Sequence, residues 1–373
     1  MKGAAALAIL FLGCVQAMGQ SPPPSDFNDL SRRAAAALKT DPHQAAGLYR
    51  QALAMRPTWA EGWFDLGAAE YELKRYGEAR QAFARAGELA PDNGAVWAFL
   101  GLTEYDQADY RQALTHILKA EELGLPDDPQ FVSTVRIRAA LVYMRGSDFT
   151  DAVEQLHALA LLGDKSPETI QALGVAALTR PWIPPDVPPA KRALVDMAGR
   201  ATWALYAQQQ SEAEQLLNQL VREYPNEPGV HYLRGIFYVD RDPATAMNEF
   251  AAEAKVSPSH AMARVQMAIL HLRTGDPEKA LAPAREAVEL EPNNLLCHLA
   301  LGRALLGTGK ISPAIQEFEI AVKLNPVYPH THFYLSQAYR QSGREEEARK
   351  EQEKFTKLKD AGNPTAGAGP PVK

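Results

Sequence analysis

The chain has 373 residues, a formal net charge of −6 at pH 7 and two cysteines. Nucleic-acid binding needs a concentrated Lys/Arg face that displaces counterions, so this charge balance argues against nucleic acid as a partner. Two cysteines are too few for a disulfide scaffold, and stability must come from the packing of apolar side chains.

The first residues predict an export signal. Met1 and Lys2 are followed by an apolar run from Gly3 to Gly13 and then by small residues, which is the order found in secretory signal peptides. The run is too short for a permanent membrane anchor, and the rest of the chain has no other long apolar segment, so no transmembrane span is expected. We expect residues 1–19 to be a signal peptide and 20–26 a linker, with the protein exported to the periplasm or cell envelope.

Two processing routes are open. Ala17–Gly19 fits the small-x-small rule for cleavage before Gln20. Alternatively, Leu12–Cys14 resembles a bacterial lipobox and would give an N-terminal lipid anchor at Cys14. In both cases Cys297 stands alone, so we expect neither an intramolecular disulfide nor a metal site built on cysteine.

Residues 27–180 form a first array that repeats with a period of 34 residues; an insertion at Gly124–Pro129 offsets its third unit, and the pattern is degenerate from about 128 to 258. The matching positions of two consecutive repeats are Trp63 and Trp97, Leu66 and Leu100, Gly67 and Gly101, Ala79 and Ala113, Phe83 and Ile117, and Ala86 and Ala120. A repeat of this length forms two amphipathic helices that cannot bury their apolar faces alone, so successive repeats must stack. The small residues leave room for the two helices to cross closely.

A proline-rich segment, residues 181–189, breaks this register. Five prolines lie between Arg180 and Pro189, which excludes an α-helix and favours an extended loop. We expect an interruption of the array here, followed by a long helix from about Ala190 to Gln209.

The period returns in a second array, residues 190–360. Its marks are Gly275, Gly309 and Gly343, then Ala280, Ala314 and Ala348, then Pro292 and Pro326. The last helix, from Arg344 to about Asp360, is heavily charged, as a helix that caps a stack should be. The tail, residues 361–373, is rich in Gly, Ala and Pro and is expected to be disordered.

These residues resemble the tetratricopeptide repeat (TPR) family, whose pattern is W-x2-L-G, then Ala, Phe and Ala in the second helix, then a closing Pro. The resemblance covers nearly all of the chain from about residue 27 to 360. It implies an all-α fold, a right-handed superhelical solenoid of about eight to nine helix-turn-helix units interrupted by the proline-rich loop. It also implies a concave groove, lined by the first helix of each unit, that binds a protein or peptide ligand.

The register assigns a set of candidate residues to that groove. They are Glu61, Phe64, Asp65, Ala68, Tyr71, Leu102, Tyr105, Tyr232, Ile269, Arg303, Phe333 and Gln337. Their aromatic and aliphatic side chains suit a peptide with apolar anchors, although some of them would serve only to pack neighbouring repeats. Phe64, Tyr71 and Tyr105 are expected to form an aromatic strip beside two of the acids.

Charge is uneven along the candidate groove. Acids border the first array and arginines the second, which would orient a partner with a basic and an acidic end; a solvated surface without partner meaning is the alternative. The charged residues are Glu61, Asp65, Glu72 and Asp106 in the first array, and Arg264, Arg273, Arg303 and Arg340 in the second. The Lys/Asn/Arg clamp of chaperone-binding relatives has no counterpart at the matching positions.

The sequence offers no catalytic, cofactor or metal site. Gly307–Ser312 lacks the spacing of a phosphate loop, and Glu154 with His157 is one half of a di-iron pattern that needs two. His231, His298 and His332 share the repeat position where the family usually carries Trp, and we interpret them as packing residues rather than metal ligands.

Three functions are compatible with the sequence. The favoured one is a non-catalytic scaffold or adaptor of the bacterial cell envelope. The first rival is a lipidated assembly factor for outer-membrane, pilus or secretion machinery. The second is an enzyme or cofactor carrier that would use the non-repeat residues 180–200. It would need a polar cluster, which Trp182, Asp186 and Lys191 hardly supply.

Overall fold

The computed structural model describes residues 25–146, 148–180 and 182–360, and within them the regular structure is helical, without strands. Ser25 and Asp26, assigned to the linker above, already belong to the first helix. The predicted signal peptide, Cys14 and the predicted tail lie outside the described residues.

Helices of the described chain fall into two compact units. Unit 1 extends to Asp148 and includes Leu161–Asp164, and unit 2 comprises Phe149–Ala160 and the chain from Lys165 onward. The helices of unit 1 are α1 Ser25–Leu38, α2 Pro42–Met55, α3 Ala60–Glu72, α4 Tyr76–Leu89, α5 Gly94–Asp106, α6 Tyr110–Leu123 and α7 Pro129–Arg145. Those that follow are α8 Phe149–Leu161, α9 Pro167–Ala177, α10 Arg192–Tyr206, α11 Gln210–Glu223, α12 Val230–Tyr238, α13 Pro243–Val256, α14 Ala261–Arg273, α15 Pro277–Leu290, α16 Leu295–Gly307, α17 Ile311–Leu324, α18 Pro329–Gln341 and α19 Glu345–Asp360.

Within each unit the helices pack as successive antiparallel pairs. In unit 1 the pairs are α1 with α2, α3 with α4 and α5 with α6; in unit 2 they include α12 with α13, α14 with α15, α16 with α17 and α18 with α19. The second helix of one pair also packs on the first helix of the next, as α4 does on α5 and α15 on α16. The all-α helical repeat predicted from the 34-residue period is confirmed.

Small residues bring the two helices of a pair together, as the repeat pattern predicts. A Cβ added at Gly67 would lie 2.7 Å from the ring of Phe83, and one at Gly302 would lie 2.5 Å from the ring of Phe318. Ala79 and Ala314 have no exposed surface. Larger side chains at these positions would push the helices apart.

The proline-rich segment contains two short 3-10 turns, Pro184–Asp186 and Pro189–Lys191, and no α-helix. It connects α9 to α10, and these two helices pack closely on each other inside unit 2. The segment therefore breaks the register while helix packing continues across it. Residues 181–189 interrupt the 34-residue register of the array. That they also form a boundary between two domains stays a prediction.

Ion pairs hold the ends of this segment. The Nη2 atom of Arg180 lies 3.0 Å from Glu227 Oε2 and 3.3 Å from the carbonyl oxygen of Pro228, and Lys191 pairs with the other oxygen of Glu227. Trp182 lies under the guanidinium of Arg180, 5.5 Å from ring centroid to Cζ. The long connection is thus tied to the loop between α11 and α12.

Candidate functional site

The predicted groove residues all lie on first helices of the packed pairs. In unit 1, Glu61, Phe64, Asp65, Ala68 and Tyr71 lie on α3, and Leu102 and Tyr105 lie on α5. In unit 2, Tyr232 lies on α12, Ile269 on α14, Arg303 on α16, and Phe333 and Gln337 on α18. The candidates occupy several positions of the repeat, and all of these positions lie on the first helix of a pair, as the register implies.

Three of the apolar residues are core residues. Phe64, Ala68 and Leu102 are at most 8% exposed and belong to one cluster. The ring of Phe64 packs edge-on against Phe83 and Phe99, with centroids 5.5 and 5.1 Å apart. Phe64 therefore packs neighbouring repeats together and does not join the aromatic strip expected beside Tyr71 and Tyr105, because helix α5 covers its ring.

Tyr71 and Tyr105 keep part of their surface exposed. The hydroxyl of Tyr71 donates a hydrogen bond of 2.5 Å to Asp106 Oδ2 in the next repeat, and its ring contacts Tyr76. The ring of Tyr105 contacts Tyr110 and lies 5.2 Å from the guanidinium of Arg138. These tyrosines are positioned by neighbours on two or three helices, which fixes the exposed edge that they present.

Asp65 is an acid without a cationic neighbour. Its Oδ2 atom accepts a 2.7 Å hydrogen bond from the hydroxyl of Tyr49, and no Lys, Arg or His of the described chain forms an ion pair with it. Burial raises the pKa of Asp65 to about 6; the Tyr49 hydrogen bond acts to lower it, and the negative charge of Glu61 raises it further. The ionised form of Asp65 is therefore destabilised by burial and by the nearby charge of Glu61.

The residues assigned to unit 2 are less alike. Burial raises the pKa of Tyr232 to about 12, and its ring contacts Phe250 and His260, so its body fills space between helices. The ring of Phe333 contacts Tyr334 and Phe355, and the Arg303 guanidinium lies 4.8 Å from the centroid of Tyr334. Ile269 and Gln337 are half-buried.

Internal ion pairs reduce the basic character expected of the second array. The Nε atom of Arg264 lies 2.9 Å from Glu286, and an Nη2 atom of Arg273 lies 2.8 Å from Asp240. Among the described residues, Arg303 and Arg340 form no ion pair. Two of the four arginines that the sequence assigned to the second array are therefore already paired within the protein, and two are left for a partner.

Two buried carboxylates in unit 1 escaped the sequence analysis. Glu70, without exposed surface, pairs with Arg50 of the preceding repeat and with Arg75 at 3.4 Å. Glu104, 34 residues further on, lies 3.2 Å from Arg80 Nε and 2.6 Å from His116 Nδ1. The recurrence of Glu at that interval was the available signal, and each carboxylate ties one repeat to its neighbour.

The shared Trp and His position has a defined polar role. In unit 1 the indole Nε1 of Trp63 and of Trp97 donates a 2.8 Å hydrogen bond to the carbonyl oxygen of the proline six residues earlier. In unit 2, Nε2 of His298 and of His332 makes the same contact at 2.8 Å, with Pro292 and Pro326. The histidines interpreted above as packing residues also bind polar groups through both ring nitrogens, because the position faces a main-chain carbonyl.

The residues of the enzymatic alternative do not form a cluster. Lys191 pairs with Glu227, Trp182 lies against Arg180, and Asp186 is exposed. Within the described ranges, no group of three or more His, Cys, Asp or Glu side chains could hold a metal ion. Burial raises the pKa of the Cys297 thiol to about 12, so this cysteine is inert as a nucleophile at neutral pH.

Comparison with protein-family models identifies the repeats. Models described as tetratricopeptide repeat match residues 36–103, 200–227, 236–294 and 299–362. The chain belongs to the tetratricopeptide repeat family. The matched ranges include the α3–α4 pair of unit 1 and the pairs of unit 2 from α14 on. They contain the candidate residues except Tyr105 and Tyr232, which lie just outside the matches.

Solved structures of MamA proteins have a similar fold. A MamA RS-1 double mutant is 22% identical, with a TM-score of 0.41, over 45% of this chain and 94% of that one. MamA from Desulfovibrio magneticus RS-1 is 22% identical, with a TM-score of 0.40, over 44% of this chain and 94% of that one. A likeness of this degree carries no functional argument, and no curated protein matches the chain. No helix of the described residues is long and apolar enough to cross a membrane.

Proposed function

We propose that this TPR protein is a non-catalytic adaptor that binds a protein or peptide along the first helices of its repeats. Membership of the family supports an interaction scaffold, because stacked helix pairs present an extended surface and no enclosed pocket. The observation that carries the finer proposal is Asp65, a carboxylate held beside Glu61 without a cation. A Lys or Arg of the partner, next to an apolar anchor that contacts Tyr71 and Tyr105, would neutralise it.

The pKa of Asp65 gives this interaction a pH signature. Because burial raises that pKa to about 6, Asp65 is ionised at pH 7.5 and mostly protonated at pH 5. A basic partner group binds the ionised form, so its affinity should fall as the pH is lowered through 6.

Binding kinetics of purified variants test the site once the partner has been captured from an envelope extract. Tyr71→Ala removes a partly buried aromatic anchor and should cost about 2 kcal/mol of binding, mostly through faster dissociation. Glu61→Gln removes a rim charge and should mainly slow association. Tyr224→Ala and Glu78→Gln, which lie outside the candidate set, are the matched controls.

Equal and small effects of Tyr71→Ala and Glu61→Gln on correctly folded protein would exclude the first helices of unit 1 as the binding surface. An affinity that does not change between pH 5 and 7.5 would exclude Asp65 as the group that recognises a basic side chain.

We further propose that the adaptor works in the bacterial cell envelope. The n-region, apolar run and small residues before Gln20 support export. Mass spectrometry of protein purified from its own host should find an N-terminus near Gln20. A diacylglyceryl group on Cys14 would instead favour the second candidate, a lipidated factor for outer-membrane, pilus or secretion machinery.

A further inference from the structure

Three histidines of unit 2 contact two hydrogen-bond acceptors each. Nδ1 of His231 lies 2.7 Å from Glu249, that of His298 lies 2.6 Å from Glu317, and Nε2 of each lies at 3.0 and 2.8 Å from a proline carbonyl. His332 repeats this arrangement, with Nδ1 2.5 Å from Glu351 and Nε2 2.8 Å from Pro326. We call each such His, with its Glu and its proline carbonyl, a staple.

The acceptors determine the protonation state. A main-chain carbonyl only accepts hydrogen bonds, and an ionised carboxylate only accepts as well. Both ring nitrogens must therefore donate, which the imidazolium does and neither neutral tautomer does. Loss of one proton breaks one of the two bonds and places a nitrogen lone pair against an oxygen.

Each staple joins three structural elements. Pro292 lies in the turn between α15 and α16, His298 lies on α16, and Glu317 lies on α17. The doubly bonded ring therefore ties the turn that precedes a repeat to both helices of that repeat. Only 6% of the His298 side chain and 2% of the His332 side chain are exposed, so water does not replace a lost bond easily.

The α14–α15 repeat of unit 2 carries a permanent cation at this position. Arg264 lies six residues after Pro258, as His298 lies six residues after Pro292. Its Nη1 atom contacts the His260 carbonyl at 3.3 Å and its Nε atom contacts Glu286 at 2.9 Å. The position in unit 2 thus binds a main-chain carbonyl and a glutamate of the second helix through a positive group.

We propose that the staples of His231, His298 and His332 make unit 2 a pH-sensitive part of the protein: each staple is closed, with both hydrogen bonds made, while both ring nitrogens carry a proton, and it opens when one proton is lost. Unit 1 lacks this response at the same position, since Trp63 and Trp97 donate one hydrogen bond and do not titrate.

Other charged groups next to the staples act in the same direction or are already paired. Arg234 binds the second oxygen of Glu249, and Glu253 adds negative charge near His231. Lys354 lies 2.8 Å from the other oxygen of Glu351. The hydrogen bond to Glu249 raises the pKa of His231 above its ordinary value, against the opposing effect of burial. A raised histidine pKa stabilises the fold below the unfolded pKa of 6.5, and this contribution is lost as the pH rises through the folded pKa.

Hydrogen exchange of the full chain at pH 6 and pH 8.5, corrected for intrinsic rates, tests the proposal. Amides of the turn between α15 and α16 and of the start of α16 should open several-fold more at pH 8.5, because the ring then lacks one of its two hydrogen bonds. In Asp65→Asn, which removes the titrating acid beside Trp63, the equivalent amides around Trp63 should not change with pH.

Glu317→Gln separates the staple from general pH effects. An amide NH2 donates to a neutral Nδ1 while Nε2–H keeps its bond to Pro292, so the neutral ring satisfies both contacts. This variant should remove the pH-dependent opening at the His298 staple and leave it unchanged at His231 and His332. Glu289→Gln, on the exposed face of α15, is the matched control and should behave as the wild type.

His298→Arg gives a second test, because it copies the permanent charge of Arg264. It should keep the turn closed at both pH values. Opening at the His298 staple that is equal at pH 6 and pH 8.5 in the wild type, or pH-dependent opening that persists unchanged in Glu317→Gln, would overturn the proposal.

Discussion

The turns inside the repeats share one backbone conformation but differ in the residue that adopts it. The residue between the two helices of a repeat has positive φ, and it is Gly275, Gly309 or Gly343 in the later repeats but Lys74 or Ala108 in the earlier ones. In each case the next amide donates to a carbonyl five residues back, as in a Schellman motif. Non-glycine residues pay a steric penalty in this region because Cβ approaches the backbone.

Introducing glycine at this turn position should therefore stabilise the fold, and replacing glycine there should destabilise it. We predict that Ala108→Gly (φ 61°) raises the free energy of unfolding by about 1 kcal/mol and that Gly309→Ala (φ 74°) lowers it by a similar amount. Urea denaturation of both variants measures the two effects. Destabilisation by both substitutions would show that chain entropy, rather than the left-handed conformation, dominates at the turn.

Asp65 is the second residue whose own state is unfavourable. With its pKa raised to about 6, the ionised form is destabilised in the fold relative to the unfolded chain. We predict that Asp65→Asn, which still accepts the hydrogen bond from Tyr49, raises the free energy of unfolding by about 1–2 kcal/mol at pH 8 and changes it little at about pH 3.5, below the unfolded pKa of 3.8. A gain of equal size at both pH values would mean that ionisation of Asp65 is not the cause.

At the scale of the element, helices α9 and α10 depend on two glycines. A Cβ at Gly174 would lie 1.9 Å from the carbonyl oxygen of Val195, and one at Gly199 would lie 1.9 Å from that of Ile170. The two backbones are in direct contact, closer than in pairs where a glycine faces an aromatic ring. This contact holds together the helices on either side of the proline-rich segment.

A methyl group at this crossing should separate the helices. We predict that Gly174→Ala lowers the free energy of unfolding by roughly 2–3 kcal/mol, because backbone atoms cannot move aside as a side chain would. Gly47→Ala on α2 is the control: its Cβ would meet nothing within 4 Å, so it should be neutral or stabilise by about 0.5–1 kcal/mol through helix propensity. Thermal or urea unfolding distinguishes the two, and equal effects would contradict the close approach.

At the scale of the whole molecule, the groups whose pKa differs from its ordinary value determine the pH at which the fold is most stable. Stability linked to His231 is lost as the pH rises through its raised pKa, and the raised pKa of Asp65 also disfavours the fold at higher pH. Burial is the largest influence on Glu249 and Glu351 and acts to raise their pKa. The hydrogen bond and charge of His231 with Arg234, and those of His332 with Lys354, together outweigh it and lower both pKa values below 4.5. The stability from these glutamates is present above pH 4.5 and is lost as the pH falls through their folded pKa.

We therefore expect the chain to be most stable in mildly acidic solution, between about pH 5 and 6. Denaturant unfolding from pH 4 to 9 should give a curve with its maximum in that window. The variant Asp65→Asn should shift the maximum upward, since it removes the carboxylate that disfavours the fold at higher pH. A maximum above pH 7.5 in the unmodified protein would contradict the expected balance.

The sequence alone determined the repeat, because the repeat is a matter of periodicity. Gly67, Ala79 and Phe83 recur at fixed intervals, and a helix pair of that length has one way to bury its apolar side, by stacking on the next. The same register placed Glu61, Tyr71 and Arg303 on first helices. These features follow from local chain positions, and the structure has them where the period predicts.

Tertiary structure decided what each candidate residue does. Phe64 and Tyr71 share a helix and an aromatic ring, yet α5 covers Phe64 and leaves part of Tyr71 exposed. The contact between Gly174 and Gly199 joins helices separated by a segment without a repeat register. No regular spacing in the sequence therefore predicts it. The histidines were visible at their shared position, but their charge depends on a carbonyl and a carboxylate brought to the ring by other elements. Burial, pairing and protonation depend on distances between atoms far apart in the chain, and only the folded molecule specifies these.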